Sequence, residues 1–349
     1  MIVSTRTYPS AKGLITLVRV TNKSGASVTL STLGAGIVTV KVPDRDGKIE
    51  NVALSYENPA DYIADGPCMG KVPGRYANRI ADGRLVVDGH LFRLPINNGP
   101  NHLHGGPEGF QNQNWQYELL PNGVRFSLQS PDGDEGYPGN LTATAEYRWS
   151  DDNVLSLSLQ AVCDAGSVVN LTNHAYWNLD GADSGSALDH QLCLKASRWL
   201  PIDETLIPLG TLADVEETPM DFRAPKALGK DIQADFPALN YGKGYDNCFC
   251  LDGWFPGAMI EAAATLRSLK SGRVLTVDTD QPGLQVYTGN WLSGSPLNHA
   301  GRSYADYDGV ALEAQGWPDA PNRPDFPSQA ITPETPYRRE IRFRFSTMA

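Results

Sequence analysis

The stretch that decides the fold is Leu141–Cys163, which reads LTATAEYRWSDDNVLSLSLQAVC. Between Leu155 and Ala161 apolar residues alternate with polar ones, which is the pattern of a strand with one buried face. The preceding run, Leu141–Trp149, has strand character too, and a Ser-Asp-Asp-Asn turn separates the two runs. The stretch therefore predicts a pair of half-buried antiparallel strands.

Outside this pair, the chain continues as short strands separated by turns. Its 34 glycines and 25 prolines leave little room for long helices. Helical turns are predicted only at Asn58–Tyr62 and Gly257–Leu269. Further strands are predicted at Ile15–Val20, Ser27–Leu33, Ile37–Val42, Arg84–Val87 and Leu91–Leu94. Because no repeat, linker or break in composition divides the chain, we expect a single all-β domain over residues 1–349, with two large packed sheets.

The composition is that of an ordinary globular protein. A chain of 349 residues with 41% hydrophobic content can bury a large core. Its net charge of −11 disfavours nucleic acid and anionic membrane surfaces as partners. No apolar run approaches the ~20 residues that span a bilayer, and the first residues lack the apolar core of a signal peptide. We therefore expect a cytoplasmic protein, whose five scattered cysteines are reduced.

The stretch Val168–Gly181, VVNLTNHAYWNLDG, carries the first chemical signal. Its asparagine amides can fix the hydroxyls of a polar ligand, and Tyr176 and Trp177 offer flat apolar faces of the kind that stack on sugar rings and bases alike. His174, among them, is a candidate proton donor. The alternative is a strand end and a turn without a ligand.

Two segments in the first third of the chain add polar residues that a turn alone does not need. In GRYANR, Asn78 and Arg79 follow a glycine, and arginine supplies a rigid fork of donors for ligand oxygens. In NHLHGG, His102 and His104 lie two apart. That spacing can ligate a metal only with a third ligand, and no accompanying motif supplies one. A hydrogen-bonding histidine is the favoured interpretation.

Two further segments lie in the last third. In GYDNCF, Asp246 can accept hydrogen bonds from sugar hydroxyls, although an Asx-turn explains the residue equally well. In GVALEAQGWPDAPNRPDFP, Glu313 follows a buried-looking strand and precedes a proline-rich loop. A carboxylate beside an apolar wall is a plausible base if a cation is near.

Several of these segments occur in the order that is typical of one family. GRYANR, NHLHGG followed by PEGF, TNHAYWNL, GYDNCF, LQVYTGNW and ALEAQGWPDAPNRPDFP resemble the motifs of the aldose 1-epimerases (galactose mutarotases). The resemblance extends from about Gly74 to the end of the chain. It implies a large antiparallel β-sandwich of the galactose mutarotase type, in agreement with the predicted strands.

The resemblance also implies roles for individual residues. Glu313 in ALEAQ matches the catalytic base of the family, and His174 in TNHAYWN matches the catalytic acid. The expected sugar-binding residues are Asn78, Arg79, His104, Asp246 and Gln285. The chain departs from many relatives at Gly316, where they have a bulkier residue, which leaves the fine substrate preference open.

The implied reaction is the interconversion of the α and β anomers of hexoses such as galactose and glucose. Ring opening requires that the anomeric hydroxyl lose a proton while the ring oxygen gains one, so a base and an acid must lie together. Neither a cofactor nor a metal is expected. The expected partner is a small monosaccharide, and the expected state is a monomer or a weak homodimer.

Alternative functions stay open at this point. A glycoside hydrolase would need two carboxylates roughly 5–10 Å apart, with Asp246 as the conceivable partner of Glu313. A carbohydrate-binding protein would need aromatic platforms but no acid–base pair. A hexose-phosphate 1-epimerase would need a cationic phosphate pocket, which an acidic chain does not indicate.

The mechanism leads to one electrostatic expectation. An ionised Glu313 and Asp246 near His174 would favour the imidazolium and raise the pKa of His174. The profile of kcat/KM against pH would then be a bell, with its acid limb set by Glu313 and its alkaline limb by His174.

Overall fold

The structure is a computed structural model and describes residues 1–348. Strands form nearly all of its regular structure, because β-branched and aromatic residues alternate with polar ones between glycine- and proline-containing turns. The strands of the first half of the chain are β1 (Ile2–Ser10), β2 (Gly13–Thr21), β3 (Ser27–Ser31), β4 (Gly36–Pro43), β5 (Ile49–Asn51), β6 (Arg79–Ile80), β7 (Arg84–Val87), β8 (His90–Arg93), β9 (His102–Leu103), β10 (Gln116–Leu120), β11 (Gly123–Ser130), β12 (Leu141–Trp149) and β13 (Val154–Cys163).

The second half continues in the same way and contains one short α-helix, α1 (Pro237–Gly242). Its strands are β14 (Ser167–Val168), β15 (Tyr176–Trp177), β16 (Gln191–Leu194), β17 (Arg198–Trp199), β18 (Ala213–Asp214), β19 (Lys226–Ala227), β20 (Asp246–Cys250), β21 (Ile260–Arg267), β22 (Arg273–Thr279), β23 (Gly283–Tyr287), β24 (Val310–Gln315), β25 (Ala330–Ile331) and β26 (Tyr337–Thr347). Short 3-10 turns lie at Pro59–Tyr62, Ala81–Gly83, Phe110–Asn112, Asp134–Gly136 and Ala320–Asn322.

The strand pairings are antiparallel and build three large sheets. Nine strands follow the order β10-β11-β12-β13-β26-β22-β21-β16-β19, and six follow β15-β24-β23-β20-β17-β18. A third sheet joins β1 to β5 in chain order, in addition to the two that the sequence predicts. Small pairs form between β6 and β9, β7 and β8, and β14 and β25.

Most of the local predictions are confirmed. The two strands predicted from Leu141–Cys163 have the bounds of β12 and β13, and they pair directly. The helical turn at Asn58–Tyr62 is present. The five cysteines are free thiols.

The prediction of helical turns over Gly257–Leu269 is wrong. The segment forms β21, with an irregularity in its register near Ala262, where φ is +49°. Its alanines, glutamate and leucines favour a helix when isolated. Pairing with β16 on one side and β22 on the other overrides that preference. The helix α1, in contrast, was not predicted.

The nine- and six-stranded sheets share one hydrophobic core. Leu157 and Phe343 of the larger sheet belong to the same buried cluster as Val286 and Leu312 of the smaller one. Side chains alternate between the faces of a strand, so the residues next to Val286 and Leu312 point away from this core. One of these neighbours is Glu313, and the opposite face of the six-stranded sheet is therefore where the candidate site forms.

Candidate active site

The six-stranded sheet brings the predicted base together with two predicted binding residues. Glu313 of β24 pairs with Gln285 of β23, and Tyr287 of β23 pairs with Asp246 of β20. Paired residues and residues two apart share a face of a sheet, so all four side chains lie on one side. Gln285 Nε2 donates to Asp246 Oδ1 over 2.7 Å. Glu313 is 2% exposed, and its Oε2 has no hydrogen-bond partner among the described residues.

His174 lies opposite Glu313, just before β15. Its Nε2 is 3.5 Å from Glu313 Oε1, and the residue is 5% exposed. Its ring packs against those of Tyr176 and Tyr287, with centroids 5.0 and 6.1 Å away. Between β14 and β15 the chain makes only an isolated bridge, from Asn170 to Tyr76, and residues 171–175 belong to no strand.

The pairing of β6 with β9 brings the predicted residues Asn78, Arg79 and His104 to the same site. Asn78 and His104 both have positive φ, at +66° and +55°, and they exchange hydrogen bonds. His104 N–H donates to Asn78 O over 3.0 Å, and Asn78 N–H donates to His104 Nδ1 over 3.1 Å. Because Nδ1 accepts, the neutral ring of His104 carries its hydrogen on Nε2. Arg79 is held by Asn98 and lies 3.8 Å from the carboxylate of Asp246.

These side chains surround a cavity of about 520 Å³, which is in the size range of small-molecule sites. Six of the seven predicted site residues line it, and Gln285 lies behind them as the partner of Asp246. The wall also contains residues that the sequence patterns did not assign to the site, among them Cys68, Glu204, Thr205, Tyr241, Tyr287 and Trp291.

The alternation of side chains between the two faces of a strand would have identified one of these residues and corrected another prediction. Tyr287 lies two residues after Gln285 on the same strand, so it shares the face of Gln285. By the same rule Tyr176 and Trp177 cannot both face the ligand. Tyr176 lines the cavity, whereas Trp177 is buried against Phe343 in the core. The expectation that Trp177 stacks on the ligand is therefore wrong.

His102 has a structural role, and the two histidines of NHLHGG do not act together. Its Nδ1 bonds Pro95 O and its Nε2 bonds the hydroxyl of Tyr137, both over 2.7 Å. Burial lowers the pKa of His102 to about 4, so the ring is neutral at pH 7. Gly316 also lies away from the cavity, since a Cβ there would come 2.4 Å from the side chain of Gln329. A bulkier residue at this position would press on Gln329 and not on a ligand.

The electrostatics of the acid–base pair differ from the expectation. Burial lowers the pKa of His174 to about 4, and the nearby positive charge of Lys71 acts in the same direction. Burial also raises the pKa of Glu313 well above its usual value, and the negative charge of Asp246 adds to this. The prediction that neighbouring carboxylates raise the pKa of His174 is therefore wrong. Both side chains are almost completely buried, so desolvation of the two charged forms outweighs their attraction.

Fold and site together define a class: an antiparallel β-sandwich with an acid–base pair at the base of a polar, partly aromatic pocket. This combination suits proton transfer on a ligand rich in hydroxyl groups. The chain belongs to the aldose 1-epimerase family, whose model matches residues 16–344.

Individual relatives agree with this assignment. The chain is 43% identical to human galactose mutarotase over 319 residues, which is 91% of both chains. It is 40% identical to aldose 1-epimerase from Escherichia coli over 312 residues, or 89% of both. Among solved structures, an aldose epimerase homologue from C. elegans has a TM-score of 0.87 at 31% identity, covering 95% of this chain and 99% of its own. Galactose 1-epimerase from Lactobacillus acidophilus has a TM-score of 0.85 at 29% identity and covers both chains fully.

Proposed function

We propose that this protein is an aldose 1-epimerase, or mutarotase: an isomerase that interconverts the α and β anomers of hexoses such as galactose and glucose. The observation that carries the proposal is the 3.5 Å approach of His174 Nε2 to Glu313 Oε1 inside the cavity. Two proton-transfer groups this close can act on the anomeric hydroxyl and the ring oxygen of one sugar.

In the proposed mechanism Glu313 takes the proton of the anomeric hydroxyl and His174 gives a proton to the ring oxygen. The ring opens to the aldehyde, which turns about its C1–C2 bond. The same two groups then close the ring on the other face with their roles reversed. Asp246 and Gln285, with Asn78, Arg79 and His104, would hold the remaining hydroxyls.

The low pKa of His174 is compatible with its role as the acid. Between the two pKa values the pair holds a single proton, which either residue can carry. A protonated Glu313 beside a neutral His174 and an ionised Glu313 beside a protonated His174 contain the same number of protons. Both forms therefore have the same dependence on pH, and the minor form is sufficient for catalysis. Hydroxyl groups of a bound sugar would stabilise the ionised form by donating to the carboxylate.

Specific observations favour this function over the alternatives. Arg79 is the one Arg or Lys side chain that lines the described cavity, and Asp246 lies beside it, which is a poor setting for a phosphate. Asp246 is engaged by Gln285 and Arg79, as expected for a binding residue. A binding protein would not need to bury Glu313 and His174 together without other partners for Glu313 Oε2 and His174 Nδ1.

The wider setting is also part of the proposal. We infer a cytoplasmic protein that acts as a monomer or weak homodimer, without nucleic acid or membrane partners and with one domain over residues 1–349. The net charge of −11 supports the absence of polyanionic partners. Among the described residues, no helix is long and apolar enough to cross a membrane.

A polarimetric assay tests the function directly. Pure α-galactose, α-glucose, xylose and arabinose are dissolved, and the approach of optical rotation to equilibrium is followed with and without the protein. The proposal expects a faster approach to the same final rotation. A methyl glycoside serves as the control, because it has no free anomeric hydroxyl and should stay unchanged. Release of new reducing ends from a glycoside would instead indicate a hydrolase, and an unchanged rate with every sugar would contradict the proposal.

A further inference from the structure

A second buried ion pair lies behind the catalytic pair. Lys71 is 1% exposed, and its ammonium group contacts the carboxylate of Asp65, the carbonyl of Tyr62 at 2.7 Å and the amide oxygen of Asn112 at 3.2 Å. An ammonium group has three donors: two are bonded to Tyr62 and Asn112, and the ion contact with Asp65 Oδ1 occupies the third side. Asp65 Oδ2 in turn accepts from the Tyr56 hydroxyl and from a backbone N–H.

The stem of Lys71 also has a dedicated place. It crosses the backbone at Gly34, where a Cβ would come 2.8 Å from both Cγ and Cδ of Lys71. Gly34 has φ of +65°, a conformation that favours glycine. The local backbone thus accommodates a long side chain that ends in the buried carboxylate.

The segment that carries Lys71 holds the backbone of His174. His174 N–H donates to Lys71 O over 2.8 Å, and Gly70 N–H donates to His174 O over 2.9 Å. Asn173 adds a side-chain bond to Gly70 O over 2.7 Å. The same segment is bonded to the five-stranded sheet through Ile37 N–H and Gly70 O. The position of the His174 ring therefore depends on how firmly residues 70 and 71 are fixed.

We propose that Lys71, held by Asp65, is a positioning residue for catalysis: it fixes the segment that holds His174 and places a positive charge near its ring. The inference rests on the proposed function of the site. It assigns Lys71 no contact with the sugar, since the ammonium group points to Asp65 and Lys71 does not line the cavity.

The charge has a measurable effect on the two active-site histidines. Burial is the main cause of the low pKa of His174, and the positive charge of Lys71 lowers that pKa further. Lys71 acts in the same direction on the pKa of His104, more weakly than burial and His174 do. The other titratable groups that pack against the His174 ring or line the same cavity are Cys68, Arg79, His104, Tyr176, Glu204, Tyr241, Asp246, Tyr287 and Glu313.

The test removes both charges at once in D65N/K71M. This double variant avoids an unpaired buried ion, which a single substitution would leave. We expect kcat to fall about tenfold with KM little changed, because the acid is held less accurately while the sugar contacts remain. We also expect the acid limb of the pH profile to move up by about half a unit, since the ring gains a proton more easily without the cation.

Two further variants make the outcome decisive. K226M/D231N removes an ion pair on another face, with Lys226 Nζ 2.8 Å from Asp231 Oδ2, and should leave kcat and the acid limb unchanged. K71R keeps the charge but changes the geometry, so kcat should fall while the limb stays in place. Loss of stability alone, with parental kcat and limb in D65N/K71M, overturns the proposal. If D65N/K71M does not fold, K71R serves as the test, and a kcat of K71R equal to that of the parent overturns the proposal.

The result is separable from the proposed function. A parent protein without mutarotase activity would contradict the function itself. An active parent, with variants that behave like it, would contradict only the role of Lys71.

Discussion

Two buried pairs, each of one acidic and one basic side chain, lie next to each other in this molecule. They differ in how many of their polar atoms have partners in the protein. In the Asp65–Lys71 pair the ammonium group lies against three oxygen atoms, and Asp65 Oδ2 accepts two hydrogen bonds, while Asp65 Oδ1 has the ammonium group as its one partner. In the His174–Glu313 pair the two groups are 3.5 Å apart, and Glu313 Oε2 and His174 Nδ1 have no partner among the described residues. A saturated pair contributes rigidity, whereas an unsaturated pair keeps its proton available to a ligand.

The largest expected effect comes from changing the unsaturated pair. Glu313→Gln keeps the volume of the side chain and removes its ability to accept a proton. Mutarotation measured by polarimetry should slow by at least ~10²-fold. The unfolding temperature should stay close to the parent's, because the neutral amide is less costly to bury than a carboxylate. A near-parental rate would show that Glu313 is not the base.

Breaking the saturated pair should affect stability far more than changing the unsaturated one. Lys71→Met leaves Asp65 buried without its cation, which should reduce the free energy of unfolding by ~3–5 kcal/mol. Denaturant titration measures this. Lys23→Met is the control, expected to leave the free energy of unfolding nearly unchanged because Lys23 and its partner Asp151 are both exposed. Equal losses in the two variants would contradict the distinction.

A smaller effect is expected for the residue that connects the catalytic pair to sugar binding. Asp246→Ala should raise KM about tenfold, because hydrogen bonds to a charged group are lost in ground and transition states alike. A loss confined to kcat would instead indicate a direct catalytic role for Asp246.

The same variant has a signed effect on pH dependence. In the parent the active single-proton state should span from about pH 4, where His174 becomes protonated and the pair gains a second proton, to the raised pKa of Glu313. The acid limb therefore belongs to His174 and the alkaline limb to Glu313, which is the reverse of the order expected from the sequence. The negative charge of Asp246 opposes ionisation of Glu313, so its removal lowers the pKa of Glu313. The alkaline limb of kcat/KM should therefore move to lower pH in Asp246→Ala. An alkaline limb that stays in place would show that Glu313 does not control it.

The smallest expected effect is none at all. If the catalytic pair transfers protons without help, exhaustive treatment with EDTA should leave the rate of mutarotation unchanged. Recovery of lost activity by added metal would contradict this mechanism.

The sequence predicted well what depends on local pattern. Alternation is visible within ten residues, which is why the bounds of β12 and β13 were found. Glu313, in contrast, was expected at the end of a strand and lies inside β24. Most site residues were found through the resemblance to a family, because the motifs of that family mark residues that are far apart in the sequence and lie together in the fold.

Other features depend on burial and pairing that no short stretch reveals. Because neighbouring residues of a strand point to opposite faces, only one of Tyr176 and Trp177 can face the ligand, but the tertiary structure decides which one does. The low pKa of His174 follows from the burial of its ring, which depends on segments far apart in the chain. Nothing in the segment Met69–Gly74 distinguishes Lys71 from a surface lysine, because its partner Asp65 lies in a loop without recognisable pattern.

The position of β26 has a consequence for how the protein is made. This strand follows every other described strand in the chain, yet it lies between β13 and β22 in the middle of the nine-stranded sheet. Until β26 has been synthesised, β13, with ten residues, and β22, with seven, each have one edge without a neighbouring strand. Unpaired strand edges promote aggregation. A chain that stops before Tyr337 should therefore be insoluble, and a synthetic peptide of β26 added during refolding should restore soluble protein. Soluble, active protein without β26 would show that the two halves of the sheet close in another way.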